Sequence, residues 1–561
     1  MNPVKVSNVT KQVETMTVSS STSSDDNGTD STTANGAKLS SVPHGNFAGR
    51  YPAGIAQPIT LAKNGVRHIR LLPSGEKEEV LAVGLACSEC FSGPRLAKLL
   101  QPGFEYEKKA MEDMMAGNFA APLSIHTSAG VPAALSGFIE ALEPLLPWKA
   151  TPEEKLDWCV SLQLEGASAV WAGIDMLLQV SILSSGNKRR KMVAVGAQSY
   201  HGPPSTSFGG KSPLWNKNYQ VKYPVPEAGV PYDETELLDK YSAFLDKHGE
   251  EIGVMLVEPQ WGSSQTGLVW PKDLLKKYIS MARERGIKIL CDEIMCGLGR
   301  HGQGTLFLSE AWDLDPDCVT FGKAIGGGAF PLSGAILKSG RNVLGGQGRS
   351  VMQSHTFAGS SARALMTGTE VLKEITEYIP SIIKLGEEMK VITDYLSSLA
   401  DGMLSFQGHG LMWGCLFTHN DKHKEEGARS RAITTFRKHC ENLGVIPYFV
   451  PVGGFMVTPC YDTDVGTIYD IGEKLEEAIK LTMKDIEWKT QEPVAADATS
   501  TMATTPLPKT ILANSKPVAE AETPVDIALC NKTLHSTRSC TTCSTFVCPV
   551  RRQRFLRTSI A

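Results

Sequence analysis

Short apolar runs alternating with amphipathic stretches restrict the middle of this 561-residue chain to one main class of fold. The runs cover residues 160–164, 192–197, 252–257, 287–291, 318–321 and 332–337, and each reads as a strand. The stretches between them have helical periodicity. Over residues 273–285, Leu274, Leu275, Tyr278, Met281 and Ala282 fall on one face, with Lys276, Lys277, Arg283 and Glu284 opposite. Such alternation predicts an α/β domain with a mostly parallel sheet. Gly166, Tyr200, Glu258, Asp292 and Lys323 each fall at or just after the carboxyl end of a predicted strand. Open α/β sheets bind ligands along that edge, so these five residues are candidates for one site.

Two of them carry specific chemistry. Lys323 lies in Phe321-Gly322-Lys323-Ala324-Ile325-Gly326-Gly327-Gly328. A lysine among glycines after a strand can reach an aldehyde cofactor without a bulky neighbour in the way. Asp292, at the end of an apolar run about thirty residues upstream, can hold a pyridine nitrogen in its protonated form. Together they are the two protein groups that a pyridoxal 5'-phosphate enzyme needs most. Gly166-Ala167-Ser168 opens a helical pattern, and free N–H groups at a helix start suit a phosphate.

The sequence resembles the class-III pyridoxal phosphate aminotransferases. Four segments carry the resemblance: Leu256-Val257-Glu258-Pro259, residues 291–302 beginning Cys291-Asp292-Glu293-Ile294-Met295, the lysine segment 321–328, and Ser354-His355-Thr356-Phe357-Ala358-Gly359. The resemblance implies a fold type I large domain and a smaller α+β domain built from both flanks. It implies Lys323 as the covalent anchor and proton carrier, and Asp292 as the partner of the pyridine N–H. Ile294 and Tyr200 would pack on the two ring faces. Gly166 and Ala167 would cradle the phosphate, and Glu258 would join the cofactor site. Thr356 would reach the phosphate from a neighbouring subunit, so the expectation is a homodimer with shared active sites. The implied activity moves an amino group between an amine or ω-amino donor and a keto-acid acceptor by a ping-pong mechanism. An aminomutase of the glutamate-semialdehyde type, a racemase or a decarboxylase on the same fold is the rival, and a non-catalytic cofactor-binding scaffold is a further one.

The departures from the family pattern bear on substrate. Glu165 puts a carboxylate beside the expected phosphate cradle, and Met295 stands where many members carry Gln. Ser360-Ser361 follow Gly359 in place of Asn-Pro, and residues 71–75 depart from the family's Asp-x-x-Gly turn. The carboxylate-binding arginine of many members falls near Met456. Arg300, Arg349 and Arg363 are the candidates to replace it, or else the substrate is not an ordinary α-amino acid.

Bulk properties set the remaining expectations. With 56 basic and 60 acidic side chains, no broad basic surface favours nucleic acid. No uncharged apolar run reaches about 18 residues, so no membrane span is expected. The N-terminal residues lack a secretory or Arg-rich leader pattern, which makes cytoplasm the default, with an organelle left open. Residues 17–33 contain eleven Ser or Thr, and residues 1–42 and 490–561 are expected to be disordered tails. Between them the expected order is 43–125 and 377–489 for the smaller domain and 126–376 for the cofactor domain. Nine cysteines between Cys87 and Cys460 read as reduced core thiols. Cys530, Cys540, Cys543 and Cys548 offer zinc-type ligands in a spacing of no standard module, and no metal site is expected.

Overall fold

The strands are placed by two-sided burial. The computed structural model describes residues 59–71, 76–84, 87–118, 133–149, 157–202, 219–338, 361–399, 402–417, 428–450 and 453–486. Both expected tails, the terminal cysteine group, Arg349 and Thr356 lie outside them. An N-terminal meander is formed by β1 (Ile59–Asn64), β2 (Arg67–Leu71) and β3 (Lys77–Ala82). Helices α1 (Gly93–Met115) and α2 (Ala133–Leu142) follow. The central layer then runs β4 (Trp158–Gln163), α3 (Gly166–Ser185), β5 (Met192–Gly196), β6 (Gln220–Tyr223), α4 (Glu234–His248) and β7 (Ile252–Val257). It continues through α5 (Lys272–Glu284), β8 (Lys288–Asp292), α6 (Leu308–Ala311), β9 (Cys318–Phe321) and β10 (Ser333–Lys338).

These strands form a seven-stranded sheet in the order β4-β10-β9-β8-β7-β5-β6. Strand β10 runs antiparallel between β4 and β9, and the other recorded pairs are parallel. All six expected strands are present within a residue or two. The short edge strand β6 was not anticipated, since its Gln220 and Lys222 break the apolar run. Successive side chains alternate between two buried faces. Val254, Leu256 and Leu290 pack with α3 residues Val170, Ile174 and Leu177. Met255, Val257, Ile289 and Cys291 join the main core with α5 residues Leu274, Leu275, Tyr278 and Ile279. Among the described residues α3 is long and apolar enough to cross a membrane, but its apolar side is spent on this sheet.

Helix α7 (Ala362–Leu399) runs across position 376, the expected end of the cofactor domain. A hairpin of β11 (Leu404–His409) and β12 (Met412–Phe417) follows. After α8 (Ala428–Asn442) come β13 (Val445–Ile446), β14 (Tyr448–Val450), β15 (Gly454–Val457) and α9 (Val465–Asp485). Strand β13 pairs in parallel with β3, Val445 with Leu81 and Ile446 with Ala82, so the two flanks share one sheet. Strands β11, β12, β15 and β14 make another.

Candidate active site

Gly166, Ala167, Tyr200, Glu258, Asp292, Ile294 and Lys323 line one cavity of about 510 Å³. Asp292 is the last residue of β8 and is 7% exposed. Its Oδ1 accepts hydrogen bonds from Thr320 Oγ1 and the Ile294 N–H, both at 3.1 Å. Its Oδ2 lies 2.7 Å from His201 Nδ1. Thr320 is the register partner of Asp292 on β9, so sheet pairing sets that contact. Burial pulls the His201 pKa down, but the bond to Asp292 and the charges of Glu258 and Asp292 carry it above the ordinary value. The pair therefore holds a carboxylate in one orientation beside a proton-bearing imidazole.

Glu293, the residue after β8, lies outside that network. It is fully buried and accepts from the N–H groups of Leu308 (2.6 Å) and Ser309 (2.8 Å) at the start of α6. Burial raises its pKa to about 7. It caps a turn and does not line the cavity.

Lys323 opens the short 3₁₀ turn Lys323–Gly326 after β9. Its φ of 49° is left-handed, a conformation that costs a non-glycine residue of order 1 kcal/mol. Its side chain is exposed to the cavity while Ala324 and Ile325 are buried. Close approach explains Gly322 beside the lysine and Gly166 at the start of α3. A Cβ on Gly322 would sit 3.0 Å from Ile294 Cδ1, and one on Gly166 would sit 2.8 Å from Ile294 Cγ2. Ile294 thus wedges between the lysine turn and the start of α3. There Glu165 caps in extended conformation, and the first helical bond is Ala169 N–H to the Glu165 carbonyl at 3.0 Å. The N–H groups of residues 166–168 have no partner within the helix. The Glu165 carboxylate is exposed at the rim, with Ser168 Oγ donating to it at 3.4 Å.

The expected arginine site is apolar. Met456 is fully buried with Cys87, Cys296, Met412 and Val450, and the cavity residues Met295 and Tyr448 pack against that cluster. Two of the proposed substitutes are corrected here. Arg300 is 1% exposed and donates to the carbonyls of Leu411 (3.3 Å), Pro459 (2.8 Å) and Glu89 (2.7 Å). It clamps three backbone segments and does not line the cavity. Arg363 pairs with Glu107 at 2.6 Å and stacks on Phe104 and Phe330. No guanidinium lines the cavity among the described residues, and no metal-ligand cluster occurs among them.

His201 and Thr320 were missed as site residues. His201 follows Tyr200 directly and could have been paired with Asp292 on chemistry alone. Thr320 could not, because sheet register is not visible in the chain.

A lysine and a strand-end aspartate opening on one cavity, at the carboxyl edge of such a sheet, define a pyridoxal phosphate enzyme of the transaminase fold. The chain belongs to the class-III aminotransferases, whose family profile matches residues 121–478. Its relatives include the adenosylmethionine-8-amino-7-oxononanoate aminotransferase of Helicobacter pylori. That match is 26% identical over 35% of this chain and 47% of that enzyme, so the chain spans about half of that relative's length. The [LysW]-aminoadipate semialdehyde/glutamate semialdehyde transaminase of Sulfurisphaera tokodaii is 26% identical over 61% of this chain and 77% of its own. Among solved structures, a transaminase from the marine bacterium Virgibacillus superposes with a TM-score of 0.62. It is 17% identical and covers 76% of this chain and 94% of that one.

The family is pyridoxal phosphate-dependent, and the residues present fit the group. The fixed Asp292 suits the ring nitrogen, the start of α3 suits the phosphate, and Lys323 suits the aldehyde. Gly166→Ala tests the packing beneath that site. The new methyl would press Ile294 toward the cavity, and overpacking of this kind costs about 1–3 kcal/mol. Cofactor affinity, measured by absorbance titration, is expected to fall about tenfold or more. Unchanged affinity would show that Ile294 relaxes elsewhere.

Proposed function

We propose that this chain moves an amino group between an amine or ω-amino compound and a keto acid in a ping-pong cycle. The observation that carries the reading is Lys323, held in left-handed backbone on the cavity that Asp292 also lines. When bound, the cofactor supplies an aldehyde that captures amino groups and a ring that takes up the electron pair of a broken C–H bond. Lys323 would supply the anchoring amine and carry the proton from the donor carbon. Asp292 would accept a hydrogen bond from the ring N–H and keep that proton in place. His201 and Thr320 position Asp292 for that task. Tyr200 and Ile294 offer the apolar surfaces for the ring.

The buried Met456 argues for the substrate class. A charge-assisted grip on an α-carboxylate contributes roughly 1.5–3 kcal/mol, and a thioether wall offers none of it. An amine, or an amino compound whose carboxylate is remote from the reacting nitrogen, is therefore favoured as donor. A screen of amine donors against pyruvate and 2-oxoglutarate tests the function. Acceptor-dependent carbonyl formation from an amine is the expected result. If a common α-amino acid exceeds its decarboxylated counterpart in kcat/KM by more than about tenfold, the substrate reading fails.

The working unit in this proposal is a homodimer, with Thr356 reaching the phosphate bound by the other subunit. Helix α1 supports an interface by exposing Phe104 (47%), Met111 (52%), Met114 (57%) and Met115 (86%) along its outer side. Mixing Lys323→Ala chains with Thr356→Ala chains is expected to restore partial activity. One site of the mixed dimer would carry both defects and the other neither. No recovery after demonstrated subunit exchange would remove the cross-subunit role.

A further inference from the structure

One turn after β5 meets the cofactor site at three places. Its Ser199 N–H donates to the Gly196 carbonyl at the strand end, at 3.1 Å. Tyr200 lines the cavity, and His201 Nδ1 lies 2.7 Å from Asp292 Oδ2. Gly202, at φ 101°, lies against the phosphate cradle, where a Cβ would sit 2.7 Å from Ala167 Cβ. A shift of this turn therefore moves a ring face, the partner of Asp292 and the edge of the cradle together.

The turn is held by a residue outside the cavity. Trp261 Nε1 donates to Ser199 Oγ at 2.9 Å, and both residues are buried without lining the cavity. Ser199 Oγ lies over Gly196, where a Cβ would come within 2.5 Å of it. Trp261 is itself firmly seated. It stacks on Trp270 with ring centres 4.9 Å apart and planes 22° apart. Its backbone N–H donates to the Leu268 carbonyl at 2.8 Å, and that of Trp270 to the Pro259 carbonyl at 3.3 Å. This loop between β7 and α5 is gripped in turn by the β11–β12 hairpin. Gln407 Nε2 donates to the carbonyls of Gln265 (2.8 Å) and Thr266 (3.0 Å), and Gln260 Nε2 donates to the Met412 carbonyl at 2.8 Å. An indole N–H only donates, so loss of the serine hydroxyl would leave it buried and unpaired.

We propose that Trp261, acting through Ser199, is a positioning residue for the cofactor ring, and that residues 259–270 brace the ring turn against the hairpin. This rests on Tyr200 facing the ring, as in the reading above, and not on the identity of the amino donor. Misplacement of a reacting group by about 1 Å can cost about 10²-fold in rate, so partial loosening is expected to lower kcat about tenfold, with KM for the donor moving less than about threefold.

The test uses the full chain loaded with pyridoxal 5'-phosphate, and reads the visible circular dichroism per bound cofactor, which reports the setting of the ring. Trp261→Phe keeps the stack on Trp270 and removes the donor, and Ser199→Ala removes only the hydroxyl. Each is expected to lower the signal and to weaken cofactor affinity by up to about tenfold, the size of one net hydrogen bond. The double variant is expected to match the worse single one, since both break the same bond. Gln407→Leu, which releases the brace from the hairpin, is expected to lower the signal by less. Additive losses in the double variant overturn the inference. So does a lower melting temperature with wild-type signal, affinity and kcat, which would make the pair merely structural. Should Trp261→Phe fail to fold, Ser199→Ala decides alone. An unchanged signal in Tyr200→Ala would remove Tyr200 from the ring, and the inference would fall with that reading. The spectrum needs no substrate, so failure of every amine donor would strike the amine-transfer reading and leave the positioning role standing.

Discussion

Lys323→Ala is expected to abolish turnover, by at least about 10³-fold, since one side chain supplies both the covalent anchor and the proton carrier. The visible absorbance of lysine-bound cofactor should vanish from the purified variant. Borohydride reduction of the wild type followed by peptide mapping should place the label on Lys323. The geometry gives the reason for this large effect. Lys323 reaches into the cavity from a turn of φ 49°, and among the described residues it is the one lysine on the lining. A label on another lysine, or a coloured and active alanine variant, would remove it from this role.

Asp292→Asn is expected to leave the cofactor bound and to lower kcat by about 10²-fold or more, at least about 2.7 kcal/mol of transition-state stabilisation. The carboxylate matters most where electron density builds on the ring, so rate should suffer more than affinity. The two arms of the carboxylate are tied by Thr320 and the Ile294 N–H on one oxygen and His201 on the other. An amide keeps the shape of that network and loses the charge. The neighbouring Glu293 cannot substitute, because both its oxygens are spent on the N–H groups of Leu308 and Ser309. Near-normal kcat in the asparagine variant would mean that ring protonation does not limit the reaction.

Much of this arrangement is legible in the chain because strand ends are legible. Short apolar runs mark where β7, β8 and β9 stop, and Glu258, Asp292 and Lys323 follow at those stops. What the chain hides is lateral order. Nothing in residues 333–338 announces that β10 runs antiparallel between β4 and β9, and the Thr320 contact depends on register across that sheet. Burial is hidden too. Arg300 follows a glycine-rich turn and reads as an anion binder, yet it is enclosed and spent on carbonyls from three segments. The substitution at Met456 was visible in the chain. That Met456 closes over a sulfur-rich cluster under the cavity emerges from β12, β14 and β15 packing together.

A single-turnover measurement separates amino transfer from every other reaction this fold supports. Cofactor-loaded protein is mixed with excess amine and no keto acid, and the carbonyl product is counted per active site. The account predicts that product formation stops at one equivalent per site, and that added keto acid restarts it with stoichiometric formation of the aminated acceptor. Donor consumption beyond one equivalent without any acceptor would contradict it, and an isomeric, decarboxylated or enantiomeric amine as the product would make the chain an aminomutase, decarboxylase or racemase built around the same lysine.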